Sequence, residues 1–158
     1  MVDTDRLGLF GHSYGGYAVN TIITVNDRFD AAVSCAGLSN LVSSYLLSAG
    51  KHGSTSCYED GQLGIPASLA EAPERFVRNS PVQHLNKITT PLLLIHGEGD
   101  AEYLQAVEMF GGLRRANKTA QLATYSKAGH AFASFTEAQV EDSWDRVLCW
   151  YEEHLIGE

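Results

Sequence analysis

Residues 8–19, GLFGHSYGGYAV, interrupt an apolar run with one serine set among glycines and then return at once to apolar residues. The run before it, residues 6–11, reads as a short buried strand, and residues 17–25 carry helical spacing. A chain that passes from strand to helix this abruptly has room for one sharp turn, and Gly11 and Gly15 are read as clearing it of bulk. Ser13 then stands at the apex, its hydroxyl lifted above the sheet edge. The helix N-terminus behind it points free N–H groups and a positive dipole end at any oxyanion formed there. The alternative is a glycine-rich turn with an incidental serine, and the strand–turn–helix context favours a nucleophile.

The same short apolar runs closed by glycine recur. DAAVSCAG (30–37) and PLLLIHG (91–97) read as strands buried on both faces, and AQLATYS (120–126) as a weaker fourth. Residues 102–118 form a helix that sets Leu104, Val107, Phe110 and Leu113 along the side facing the sheet. A C-terminal helix follows, with Ser134 and Glu137 as a capping box and Val140, Trp144, Val147, Leu148, Tyr151 and Leu155 on its sheet face. A short helix lies around residues 73–79, and residues 48–62 read as a polar loop. Strands alternating with helices place the chain in the α/β class, with a parallel sheet of about four strands flanked by helices. With 158 residues, 44% of them hydrophobic, and no internal repeat, residues 1–158 are expected to form one domain around one sizeable core.

Bulk properties exclude several function classes. A formal charge of -8 without a Lys/Arg cluster argues against nucleic acid and against anionic membrane surfaces. No stretch is long and apolar enough to cross a bilayer, and MVDTDRLG lacks the basic start and apolar core of a signal peptide, so a cytoplasmic location is expected. Cys35, Cys57 and Cys149 have neither metal-ligand nor disulfide-framework spacing, and no metal or other cofactor is expected.

A serine hydroxyl needs a base to take its proton and an acid to orient that base. In this architecture the chain order is serine, acid, histidine. Asp100 lies just past the 91–97 strand and His130 just past the 120–126 strand, at the strand ends where such sites are built. His130 would take the Ser13 proton, with Asp100 holding its tautomer and offsetting its charge. Among the other acids near the first of these strands, Glu98 and Glu102, Glu98 is the stronger rival to Asp100. His12 adjoins the serine, but neighbours on a tight turn point apart. His96 fits a buried, hydrogen-bonded histidine, and His52, His84 and His154 fit solvated positions.

In order along the chain, VDTDRLGLFGHSYGGYAV, PERFVRNSPV, TPLLLIHGEGD and AGHAF resemble the catalytic domain of prolyl oligopeptidase-like serine peptidases, the group that includes acylaminoacyl and dipeptidyl peptidases. The resemblance implies the C-terminal part of an α/β-hydrolase fold, with Ser13 as nucleophile, Asp100 as acid, His130 as base and the Tyr14 N–H as half of the oxyanion hole. It places the second oxyanion donor, several further strands and, in most members, a β-propeller before the serine turn. It also brings Tyr45 and Tyr58 to the substrate pocket, although core or surface positions suit these tyrosines equally. Family members carry a longer loop after the acid, often with a Val-Pro pair, where Asp100 here runs directly into AEYLQAVEMF. Without upstream strands, residues 6–11 would form an open sheet edge, so self-association or an N-terminal partner segment is expected. The implied function is a peptidase cleaving short or N-blocked peptides through an acyl-enzyme. A carboxylesterase or thioesterase on the same fold, and a catalytically silent module pairing through its edge, stay open.

Overall fold

The structure, a computed structural model, describes residues 3–52 and 55–157. Four strands, β1 (Gly8–His12), β2 (Ala31–Cys35), β3 (Leu92–Gly97) and β4 (Ala120–Tyr125), form one parallel sheet in the order β1-β2-β3-β4. Its register pairs Phe10 with Val33, Val33 with Leu93 and Leu93 with Gln121. Helix α1 (Tyr14–Ile22) leaves β1 directly, three residues earlier than its apolar spacing suggests. Then come α2 (Leu41–His52), α3 (Ser56–Glu59), α4 (Pro73–Arg78), α5 (Tyr103–Arg115) and α6 (Glu137–Tyr151). Among the described residues no helix is long and apolar enough to cross a membrane.

The side-chain alternation of a strand explains the two cores. Ala31, Val33 and Cys35 face a cluster completed by Leu93, Ile95, Tyr125 and the α6 residues Val147 and Trp150. Ala32 faces the opposite cluster, with Val19 of α1 and Ile23 just after it, Leu92 and Leu94 of β3, and Met109 and Leu113 of α5. Each large aliphatic side chain fully buried in this way contributes about 1.5–3 kcal/mol. A third, smaller cluster of Leu41, Tyr58, Ile65 and Phe76 holds α2, α3 and α4 together.

Several sequence expectations are corrected. The sheet side of α5 is Gln105, Ala106, Met109 and Leu113, whereas Leu104 and Val107 are exposed. Polar Gln105 is buried because its side-chain oxygen accepts the backbone N–H groups of Ser39 and Asn40, at 2.9 and 3.0 Å. On α6 the buried residues are Ser143, Val147 and Trp150, while Trp144 and Leu148 are exposed. The capping box is Thr136 with Gln139, not Ser134 with Glu137. Residues 48–62 are not one loop, because the end of α2 and all of α3 fall there and Tyr58 is buried. His154 is half-buried, packed edge-on against Trp150 at 4.2 Å, rather than solvated. His84 reaches the Arg78 carbonyl at 2.8 Å, and the His52 side chain lies outside the described residues.

Candidate active site

The turn between β1 and α1 sets the first functional side chain. Ser13 has φ 60° and ψ −118°, a conformation that costs a non-glycine residue on the order of 1–3 kcal/mol. The turn is held by the Ser13 N–H, which donates to the Cys35 carbonyl at 2.9 Å. A side chain at Gly11 would run into the Gly15 carbonyl, as the sequence suggests, but Gly15 itself faces open space. The second glycine that the packing requires is Gly16, where a Cβ would lie 2.7 Å from the Gly37 Cα. Ser13 occupies the cap position of α1, where its carbonyl accepts the Tyr17 N–H at 3.0 Å but its side chain makes no bond to the helix. Its hydroxyl is instead 2.7 Å from His130 Nε2.

His130 sits past the end of β4 on a backbone fastened at three places. The His12 Nε2–H donates to the His130 carbonyl at 2.9 Å, and the Gly99 N–H to the Ala128 carbonyl at 2.7 Å. Ser134 Oγ accepts the Gly129 N–H and donates to the Ala131 carbonyl, at 2.7 and 2.6 Å. Ser134 therefore shapes the histidine loop instead of capping α6. His12 bonds the His130 carbonyl and the Ser13 hydroxyl bonds the His130 ring, so the role of His12 falls on the histidine backbone.

Asp100 follows β3, and the short connection into α5 brings its carboxylate to the site unaided by a longer loop. Asp100 Oδ2 accepts from His130 Nδ1 at 2.7 Å and from His96 Nε2 at 3.0 Å, while Oδ1 accepts the Glu102 N–H at 3.3 Å. Burial alone would raise the Asp100 carboxyl. The hydrogen bonds from His130, His96 and the Glu102 amide outweigh it and hold the group well below the ordinary carboxylate range. His130 is raised above its ordinary value, first by its hydrogen bond to Asp100, against the opposing effect of burial. With Nδ1–H committed to Asp100, Nε2 is left as the acceptor for the Ser13 hydroxyl.

The structure thus brings Ser13, His130 and Asp100 into one hydrogen-bonded line. Glu98, the rival acid, lies outside it and accepts from the Thr124 hydroxyl at 3.0 Å. Tyr14 contributes the first N–H of α1, which has no carbonyl one turn behind it within the helix. His96 is the residue whose partner the sequence could not name. Buried to 1% exposure, it is the second donor to Asp100, and its only sequence signal is its place four residues before that acid at a strand end.

Beside Ser13 and His130 opens a cavity of about 220 Å³, walled by Tyr14, Leu38, Tyr58 and Glu102 among others. Tyr58 therefore lines it, while Tyr45 packs behind, edge-on to Tyr58 and Phe76 at 5.5 and 5.0 Å. Among the described residues no group of His, Cys, Asp and Glu is arranged to hold a metal ion.

Known proteins share this arrangement of elements. An uncharacterized peptidase of Bacillus subtilis, YuxL, is 29% identical over 157 residues, covering 98% of this chain and 23% of its own length. An acylaminoacyl peptidase solved in complex with Z-Gly-Gly-Phe-chloromethyl ketone superposes with a TM-score of 0.83 at 25% identity, over 98% of this chain and 24% of that one. A puromycin-hydrolyzing peptidase of Mycobacterium tuberculosis gives 0.84 at 26% identity, over 98% and 23%. The chain thus spans about a quarter of the length of the relatives it matches. Its match to the prolyl oligopeptidase family runs over residues 1–158, and the chain belongs to that family.

Proposed function

We propose that these residues carry the acid–base–nucleophile half of a serine peptidase site that cleaves short or N-blocked peptides through an acyl-enzyme. The observation that carries this reading is the line from Ser13 Oγ through the His130 ring to Asp100, with both hydrogen bonds at 2.7 Å. In the first step Ser13 Oγ attacks the scissile carbonyl carbon while His130 Nε2 takes the hydroxyl proton. The carbonyl oxygen becomes an oxyanion within reach of the Tyr14 N–H. Collapse breaks the bond to the leaving amine, which receives the proton from His130, and Asp100 offsets the imidazolium charge in between. Water then repeats the sequence against the acyl-enzyme, with His130 again as base.

Residues 1–158 are taken as one portion of a larger hydrolase domain whose further strands cover β1 and supply a second oxyanion donor. The acylaminoacyl peptidase neighbour, solved with an N-blocked peptide ligand, supports the substrate class. A fluorophosphonate probe should label the chain at Ser13, and Ser13→Ala should abolish labelling while leaving the thermal melt within a few degrees. Labelling that survives in Ser13→Ala refutes the nucleophile assignment. Faster turnover of peptide amides than expected from matched simple esters favours the peptidase over the esterase.

A further inference from the structure

The wall of the cavity beside Ser13 contains one carboxylate whose position is built from several directions. Glu102 occupies the residue just before α5, two after Asp100, where the short connection leaves no longer loop between acid and helix. Its Oε1 accepts from Ser44 Oγ at 3.1 Å and its Oε2 from Gln105 Nε2. Gln105 cannot turn over, because its own oxygen is taken by the Ser39 and Asn40 backbone N–H groups. Its amide N–H₂ is therefore fixed toward Glu102, which must remain an acceptor there. Tyr58 is held in turn by Ser44, so the carboxylate, α2 and α3 form one connected wall.

Both partners of Glu102 are neutral, and among the described residues no lysine or arginine pairs with it. A carboxylate has about four acceptor positions, and two remain. Burial raises the Glu102 carboxyl above its ordinary value, the neighbouring Asp100 carboxylate adds to the rise, and Ser44, His96 and Gln105 oppose it. Apart from His130, the other described wall residues carry no formal charge when Cys57 and the tyrosines are in their neutral forms. Ser13 lies on the wall of this cavity, so an acyl group bonded to Ser13 Oγ has the cavity within reach.

We propose that Glu102 makes this cavity selective for acyl groups carrying a cationic side chain, a guanidinium or an ammonium, on the residue that supplies the scissile carbonyl. The proposal rests on the peptidase reading for the identity of the acyl group, but the cavity's preference for a cation can be measured without turnover. Removing the cation from the ligand should cost the hydrogen bonds to a charged group, on the order of ten- to a hundredfold in affinity.

Calorimetric titration of the full chain with acetyl-arginine amide and acetyl-norleucine amide tests it. The arginine compound should bind at least about tenfold tighter, and the ratio should fall toward unity in Glu102→Gln. Glu108→Gln, which removes a carboxylate outside the cavity, should keep the ratio and so exclude general attraction to an acidic protein. Equal affinities in the unmodified chain, or an undiminished preference in Glu102→Gln, overturn the proposal. Norleucine amide with a free amino group distinguishes the source of the charge, and binding as tight as the arginine compound overturns the side-chain assignment. A cation preference that persists in a chain which no phosphonate labels would overturn the hydrolase reading and leave charge selection standing.

Discussion

The two outer strands of the sheet end it in opposite ways. On β4 the exposed positions are Gln121 and Thr124, polar residues that suit a terminated edge. On β1 the exposed large residue is Phe10, 41% accessible, stacked at 5.4 Å on Trp144, itself 44% accessible, with Leu148 exposed on the same helix at 58%. Among the described residues β1 pairs with β2 alone, and outside that ladder the Tyr151 hydroxyl donates to the Leu9 carbonyl at 3.0 Å and His12 Nε2 to the His130 carbonyl at 2.9 Å. Yet the end of β1 and the end of β4 also carry the two halves of the hydrogen-bonded line, Ser13 and His130. Strand ends that are fully partnered thus sit beside a flank that is apolar and unpartnered. The hydrogen-bonded line is built entirely from these residues, while Phe10, Trp144 and Leu148 stay exposed among them.

The largest expected effect tests the partnered side. Asp100→Asn keeps the shape but lets the His130 ring turn to the other tautomer, so Nε2 no longer accepts from Ser13. The acylation rate should fall by about 10³- to 10⁴-fold in whatever assembly is active, measured with an activated ester. A loss under about tenfold would mean that His96 and the fastened histidine loop orient the ring without the acid.

Next in size is pH. Acylation needs neutral His130, and the structure raises that group above its ordinary 6.5 through Asp100. Activity should therefore fall about tenfold per unit below a midpoint that lies above 6.5, so measurements from pH 5 to 9 should place it. The sign for folding is the reverse. A raised histidine contributes stability that is fully present below 6.5 and lost as pH rises through the raised value, so the site becomes active as this contribution disappears. A profile flat through that range would remove His130 from the reaction.

How much of this was legible in the sequence follows from what each signal depends on. Ser13, Asp100 and His130 could be read because each lies within four residues of the end of a short apolar run, and the strand order carries all three to one edge. The helix faces could not be read as well. Periodicity marks apolar residues, and here polar Gln105 and Ser143 are buried because partners distant in sequence, or one turn back, satisfy them. Residue type sends Leu104, Trp144 and Leu148 inward, although all three stay exposed, Trp144 with one ring face on Phe10. The pairing of His96 with Asp100 and the fixing of Glu102 by Gln105 span only four and three residues, but they depend on side-chain geometry that leaves no periodic trace. Gly16 rather than Gly15 sets the α1 packing because its neighbour is Gly37, more than twenty positions away in space-filling terms invisible to a local motif.

The smallest expected effect tests the unpartnered flank. If the Phe10–Trp144 surface is an interior face left open, the isolated chain should cover it with a second copy through β1, because an open strand edge with apolar side chains is a template for pairing. Sedimentation at increasing concentration should then show association. Phe10→Lys places a charge on that edge and removes an aromatic face worth about 0.5–1.5 kcal/mol beyond its buried area, so association should weaken by roughly tenfold. The fold of the single copy should persist, since Phe10 lies outside all three buried clusters. Gln121→Lys on β4 should leave association unchanged. A chain that stays monomeric at every concentration, with Phe10→Lys indistinguishable from it, would mean that the Trp144 stack and the Tyr151 bond already close β1, and the two edges would then be equivalent in kind.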